Sequence, residues 1–207
     1  MAISNNWVME IDQAADRYLS SAFASVLAQL LSMRPDMAAK ALADPRPIHK
    51  QVYAALTPPD QPEYAGNYRG SAFASLENSV VASAFNETEG TRILALPAQV
   101  DSLMQDYAAW TLSVSREWPR SLPAALTLYS RLMIAFGFIH PFQDGNGHIQ
   151  RLTFQYLIER AGFSMAPAWS IHPCPYGEPV HRALAAGNLD ALVALLRPFV
   201  LEIADLP

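Results

Sequence analysis

Two apolar helical runs, about 122–138 and 147–162, are interrupted by FIHPFQDGNGHIQR (138–151), and no other stretch constrains the chain as much. A chain rich in Ala and Leu reads easily as helical core and polar surface. This interruption instead gathers His140, Asp144, Asn146 between Gly145 and Gly147, and Arg151. A loop of that kind fixes two helices end to end. Ser121 is expected to cap the first, with Pro123 early in it where a missing N–H costs little, and Gly162 to end the second.

Around that centre the apolar spacing predicts a mostly helical protein. Helices are expected over 12–33 with Asp12 as N-cap, over 35–43 before DPRP, over 46–56 before TPPDQP, and over 97–116 from Pro97. The tail adds two more, with Asn188 capping the last and Pro198 bending or splitting it. The β-branched SVVASAF and the turn-like NETEG predict one hairpin across about 77–95. The fold class is a helical bundle with a small β-hairpin. Residues 1–45 read as an N-terminal helical extension and 46–207 as the main domain, one compact unit together.

Apolar residues make up 51% and charged residues 16%, enough for a core and unlike a disordered chain. The net charge of −5, with 14 scattered Lys and Arg, argues against nucleic acid as a partner. A single cysteine, Cys174, excludes an internal disulfide framework and a Cys-rich zinc site and fits a reducing cytosol. The opening MAISNNWVMEIDQ has neither basic nor long apolar region, and no uncharged apolar run of ~18 residues is seen. The expectation is a cytoplasmic protein without a membrane partner.

The loop's chemistry follows from its residues. Glycines on both sides of Asn146 let successive N–H groups converge, and the next helix adds orphan donors and a positive dipole end. The result is a phosphate cradle. Arg151, one turn in, reaches a further phosphate with its fork. Asp144 offers a hard oxygen for Mg²⁺, the Asn146 amide a donor to a phosphate oxygen, and His140 a base for an attacking hydroxyl. Phe142 is expected to turn inward and pin the loop. An EF-hand does not fit, since Ile149 and Gln155 stand where Gly and Glu are needed. His140 and His148 lack a third zinc ligand at a recognisable spacing.

These residues resemble the signature of the Fic (Fido) family, His-x-Phe-x-Asp/Glu-Gly-Asn-Gly-Arg-x-x-Arg. His140, Phe142, Asp144, Gly145, Asn146, Gly147 and Arg151 match, and His148 stands in place of the first arginine. AGNYRG (65–70) is similar to the family's segment before the hairpin called the flap, and the resemblance spans roughly 50–200. It implies transfer of AMP from Mg-ATP to a Ser, Thr or Tyr hydroxyl of a protein. In that reading His140 is the base and Asp144 holds Mg²⁺. Gly145, Asn146, Gly147, His148 and Arg151 bind the nucleotide phosphates. Flap residues Glu77, Asn78, Ser79, Val80 and Val81 hold the target by strand addition.

An imidazole at 148 gives up a permanent charge and several donors, a loss on the order of 1.5–3 kcal/mol if that contact clamps the phosphates. Two alternatives stand beside AMP transfer: a catalytically weakened module that holds a nucleotide or partner, and a Doc-like phosphotransferase. The Doc motif carries Lys where Gly147 stands. SAFNET (83–88) and SVSREW (113–118) both miss the family's inhibitory pattern in their last residue, so inhibition is expected from a small antitoxin-like partner or from homo-oligomerisation. Cys174 and the proline-rich IHPCPYGEP (171–179) read as structural, with Tyr176 a candidate for the adenine side of the pocket.

Overall fold

The computed structural model describes residues 9, 11–84, 91–116 and 118–202. α1 (Gln13–Ser32) starts at Asp12, whose carboxylate accepts the N–H groups of Ala14 at 2.9 Å and Ala15 at 2.7 Å. Its Leu19, Phe23, Val26 and Leu30 recur at helical spacing and are buried. α2 (Pro35–Ala43) and α3 (Arg46–Tyr53) follow, each opened by a proline in its first turn. α3 ends earlier than 56, because Leu56 N–H turns back to the Tyr53 carbonyl at 2.9 Å.

β1 (Ala82–Ala84) and β2 (Thr91–Ile93) form an antiparallel hairpin, Ala82 opposite Ile93 and Ala84 opposite Thr91. It is shorter than the 77–95 expected, and its tip at 85–90 lies outside the described residues. α4 (Pro97–Val114), α5 (Leu122–Ile139), α6 (Asn146–Arg160), α7 (Glu178–Ala186) and α8 (Leu189–Leu196) complete the helices. Ser121 does not cap with its side chain; its carbonyl simply accepts the first helical bond, from Ala125 N–H at 3.0 Å. Asn188 does cap α8, accepting Ala191 N–H at 3.0 Å, and Pro198 sits in the 3₁₀ turn Arg197–Phe199 that ends it. β3 (Ser164–Met165) pairs antiparallel with β4 (Val200–Leu201), a pairing too short to leave an alternating pattern in the sequence.

α5 is the hub, packed against α4, α6, α7 and α8. With a mean hydropathy of 1.5 over 18 residues it is long and apolar enough to cross a bilayer, yet here half of it is buried, with Leu126, Leu132, Met133 and Phe136 in the core. α1 returns over α6 and α3, so Leu19 and Phe23 share one core with Tyr53, Phe142 and Ile149. The end of α5 and the start of α6 are therefore held from both sides.

Candidate functional site

The loop begins with an unusual backbone. His140 caps α5 at φ 48°, ψ 60°, and it is the one non-glycine residue at positive φ among the described residues. Such a conformation costs about 1–3 kcal/mol and persists only where its surroundings impose it. Arg69, 1% exposed, imposes it. Its Nε donates to the His140 carbonyl at 2.8 Å, one Nη to Ser79 O at 2.8 Å, the other to Ile139 O at 3.0 Å and Ala95 O at 3.1 Å. Its own N–H reaches Pro141 O at 2.8 Å. One guanidinium thus ties both flanks of the hairpin to the loop. Burial lowers its pKa to about 10, so it stays charged at neutral pH. Sequence reasoning saw Arg69 only inside AGNYRG, since a lone arginine beside a glycine carries no periodic signal.

Phe142 turns inward as expected, fully buried and stacked on His49 with ring centroids 3.8 Å apart. His49 was not anticipated. Its Nε2–H donates to the Asp144 carbonyl at 3.0 Å and its Nδ1 accepts Gly66 N–H at 3.0 Å. Burial lowers its pKa to about 4, which keeps the ring neutral. Asn146 does not extend its amide toward the cavity. Oδ1 accepts Phe142 N–H and Nδ2 donates to Phe142 O, both at 2.9 Å, so the side chain clasps the loop. The donors left for an anion are the backbone N–H groups of Asn146 and Gly147, the first two residues of α6. Gly145, at φ 78°, is required: a Cβ there would lie 2.5 Å from the Tyr53 ring.

A cavity of about 490 Å³ opens beside this turn. His140 and Phe138 from α5, Asn146, Gly147 and Arg151 from α6, Tyr176, His181 from α7, and Val81 and Leu94 from the hairpin's flanks line it. It brings together His140, Asn146, Gly147 and Arg151 of the expected catalytic and phosphate-binding set, with Val81 of the expected flap and Tyr176. Burial, then the nearby Arg69 charge, lowers the His140 pKa to about 4, against a bond to the Gly137 carbonyl that raises it. A neutral imidazole keeps a lone pair on one of its ring nitrogens, the group a base needs. Arg151, 5% exposed, is held from behind: Nε donates to Ile171 O at 2.8 Å, Nη1 meets Cys174 Sγ at 3.5 Å, and the guanidinium lies 5.8 Å from the Tyr176 ring centre. Burial raises the Cys174 thiol pKa, but the His181 contact, the Arg151 charge and a bond to Tyr176 outweigh it, and the net shift is downward.

Asp144, Gly145 and His148 are not among the cavity's lining residues. The Asp144 carboxylate accepts Gly145 N–H at 2.6 Å and Met9 N–H at 2.9 Å. No three His, Cys, Asp or Glu converge as cation donors among the described residues. Mg²⁺ needs a carboxylate turned toward the phosphates it bridges, so the residues as arranged do not fit it. His148 faces away as well. Its Nδ1 meets Tyr53 OH at 2.6 Å, its Nε2 meets His172 Nδ1 at 2.8 Å, and the ring stacks on Phe23 of α1. Burial first, then the Arg151 charge and the neighbouring His172 and His49 rings, lower its pKa to about 3. The expected phosphate contact from His148 is replaced by an internal chain.

The flap expectation needs correction. Glu77 and Asn78 lie in a turn built on Phe73, whose carbonyl accepts the N–H groups of Leu76 at 2.9 Å and Glu77 at 2.8 Å. Ser79 is buried, bonded to Gln143 and Arg69, and Val80 precedes the strand. The strand itself begins at Ala82, and of the five only Val81 reaches the cavity.

The helical bundle thus brings a glycine-flanked turn and a helix N-terminus to the wall of this cavity, an arrangement whose chemistry suits an anion. The model of the Fic/DOC family matches residues 41–158, and the chain belongs to that family. Its fold is that of the N-terminal FIC domain of Bep8, a VirB-translocated effector from Bartonella sp. 1-1C: TM-score 0.65, 17% identity, 90% of this chain and 82% of that one covered. BepC of Bartonella tribocorum with bound AMPPNP gives TM-score 0.61 at 14% identity over 91% and 85%. The Fic domain of a putative cell filamentation protein of Bartonella quintana with bound ADP gives 0.60 at 15% over 96% and 91%. At these identities the likeness speaks to the fold. No curated protein matches the chain in sequence.

Proposed function

We propose that the protein transfers a nucleotidyl group, AMP from ATP, to a hydroxyl side chain of a target protein, with His140 as the base. Family membership suggests transfer of nucleotides to proteins, and the ADP- and AMPPNP-bound Bartonella proteins support a nucleotide in the cavity. The observation that carries the reading is the cavity itself: a neutral His140 ring and the α6 amides face one space with Arg151 at its side.

The chemistry follows from that placement. The nucleotide's phosphates lie against the N–H groups of Asn146 and Gly147 and the Arg151 guanidinium, which oppose the charge of the transferring phosphate. The target hydroxyl enters beside Val81 and Leu94 with its backbone added to the hairpin edge. His140 takes the hydroxyl proton as the oxygen attacks the α-phosphorus. The bond from that phosphorus to the pyrophosphate oxygen breaks, and pyrophosphate leaves. Orienting the reactants supplies much of the rate, because the bimolecular encounter is prearranged.

Incubation with ATP labelled at the α- or γ-phosphate, in cell lysate, tests this. The reading expects label from the α-position that His140→Ala abolishes. Label from the γ-position marks a phosphotransferase. Nucleotide binding without His140-dependent label marks a holding module, a reading favoured by Asp144 and His148 turning from the cavity.

A further inference from the structure

His148 is one link in a chain of three hydrogen bonds that crosses four segments of the fold. Tyr53 OH lies 2.6 Å from His148 Nδ1, His148 Nε2 lies 2.8 Å from His172 Nδ1, and His172 Nε2 lies 3.0 Å from Asp16 Oδ1. The acceptor at the far end sets every donor. A carboxylate accepts, so His172 donates through Nε2–H and accepts at Nδ1. His148 then donates through Nε2–H, and its Nδ1 accepts the Tyr53 hydroxyl. The chain is complete with neutral rings and leaves neither imidazole a nitrogen to offer the cavity.

The residue beside His172 explains what the chain does. The Ile171 carbonyl takes the Arg151 Nε–H at 2.8 Å, and Cys174 meets Nη1 of the same guanidinium. The loop that carries both is gripped by α1 twice: through Asp16 on the His172 ring, and through Ser20 Oγ donating to the His172 carbonyl at 3.3 Å. Arg151 is the cation at the phosphates, and its bearing depends on where this loop stands. His172 is buried while the Asp16 side chain is half exposed, so the link reaches from the surface of α1 to the cavity wall.

We infer that Asp16 and His148 are positioning residues for Arg151, acting through His172: α1 bolts the 171–174 loop to α6 and thereby aims the guanidinium at the nucleotide. The signature position that lacks its arginine thus serves nucleotide binding indirectly, by holding the arginine that remains. The inference rests on the nucleotide reading of the cavity. It requires of residue 16 only an acceptor at the right distance, so Asn satisfies it and Ala does not.

The test is a double-mutant cycle read by calorimetric binding of ATP and adenosine to the full chain. Asp16→Ala is expected to weaken ATP by about 3- to 30-fold, the range for a residue that acts through a neighbour, and to leave adenosine unchanged, because adenosine has no phosphate for Arg151 to meet. Asp16→Asn is expected to bind ATP as the wild type does. In an Arg151→Gln background, Asp16→Ala is expected to cost nothing further. Long-range ¹H–¹⁵N spectra are expected to show Nε2–H tautomers for His148 and His172, with His172 losing its single tautomer in Asp16→Ala. Equal ATP affinity in Asp16→Ala, an additive cycle, an equal loss for adenosine, or an Nδ1–H tautomer at His172 overturns the inference alone. A wild type that binds neither ATP nor ADP overturns the nucleotide reading and the inference with it.

Discussion

The Arg69 Nε lies 2.8 Å from the carbonyl of His140, the residue whose left-handed backbone turns α5 into the loop. The same guanidinium takes three more carbonyls, from Ser79, Ala95 and Ile139. Replacing it with Met leaves these acceptors buried without a donor, each costing about 1–3 kcal/mol where water cannot reach. We expect Arg69→Met to lose about 4 kcal/mol of stability or more by denaturant unfolding. Arg69→Lys, with three donors on a flexible stem, should recover only part of that.

Gly145 is bound to its identity by two independent constraints, a φ of 78° and the Tyr53 ring against its α-carbon. Gly145→Ala should lose about 2–4 kcal/mol and weaken nucleotide binding in the surviving folded protein. A paired Gly145→Ala, Tyr53→Phe variant should remain destabilised, because the ring carbons, not only the hydroxyl, occupy the space.

The helical frame was legible in the sequence because helices carry their caps and periods with them. Asp12, Pro35, Pro97 and Asn188 mark starts that stand where spacing placed them. The loop's membership was legible too, because the residues that make a phosphate nest must be adjacent in the chain. What stayed hidden is long-range. Arg69 meets His140 across 71 positions, His49 meets Asp144 across 95, and Asp16 meets His172 across 156, and no local pattern announces such partners. Roles were hidden too. His148 looks like a ligand in sequence, yet the distant Tyr53 and His172 claim it. Asn146 looks like one as well, yet its amide closes on Phe142 four residues back, a choice that only the folded turn decides.

One buried histidine, His49, and two partly buried ones, His140 and His148, set the pH dependence of the fold. His49 and His140 are lowered to about 4 and His148 to about 3, from 6.5, all chiefly by burial. The unfolded chain therefore binds more protons than the folded one below 6.5. The stability they contribute is fully present above pH 6.5 and is lost progressively as pH falls toward 3. Urea midpoints should be flat above neutrality and drop steadily through that window. His140→Asn should shrink the drop. By the same shift, the acid limb of kcat/KM should sit near pH 4 rather than 6.5, since that quantity reports the free protein's base.

Asp144 spends its carboxylate on the N–H groups of Met9 and Gly145. ADP affinity should therefore be the same, within about 2-fold, in Mg²⁺ and in EDTA, a difference below about 0.4 kcal/mol. Asp144→Ala should instead lower the unfolding midpoint, because two amides lose their acceptor.

A crystal structure of the protein with ADP tests the central claim most directly. The account predicts phosphate oxygens on the N–H groups of Asn146 and Gly147, the Arg151 guanidinium on the outer phosphate, and the His140 ring open to the α-phosphorus. Phosphates seated elsewhere, or an ADP that enters with the His140 ring turned from it, would contradict it.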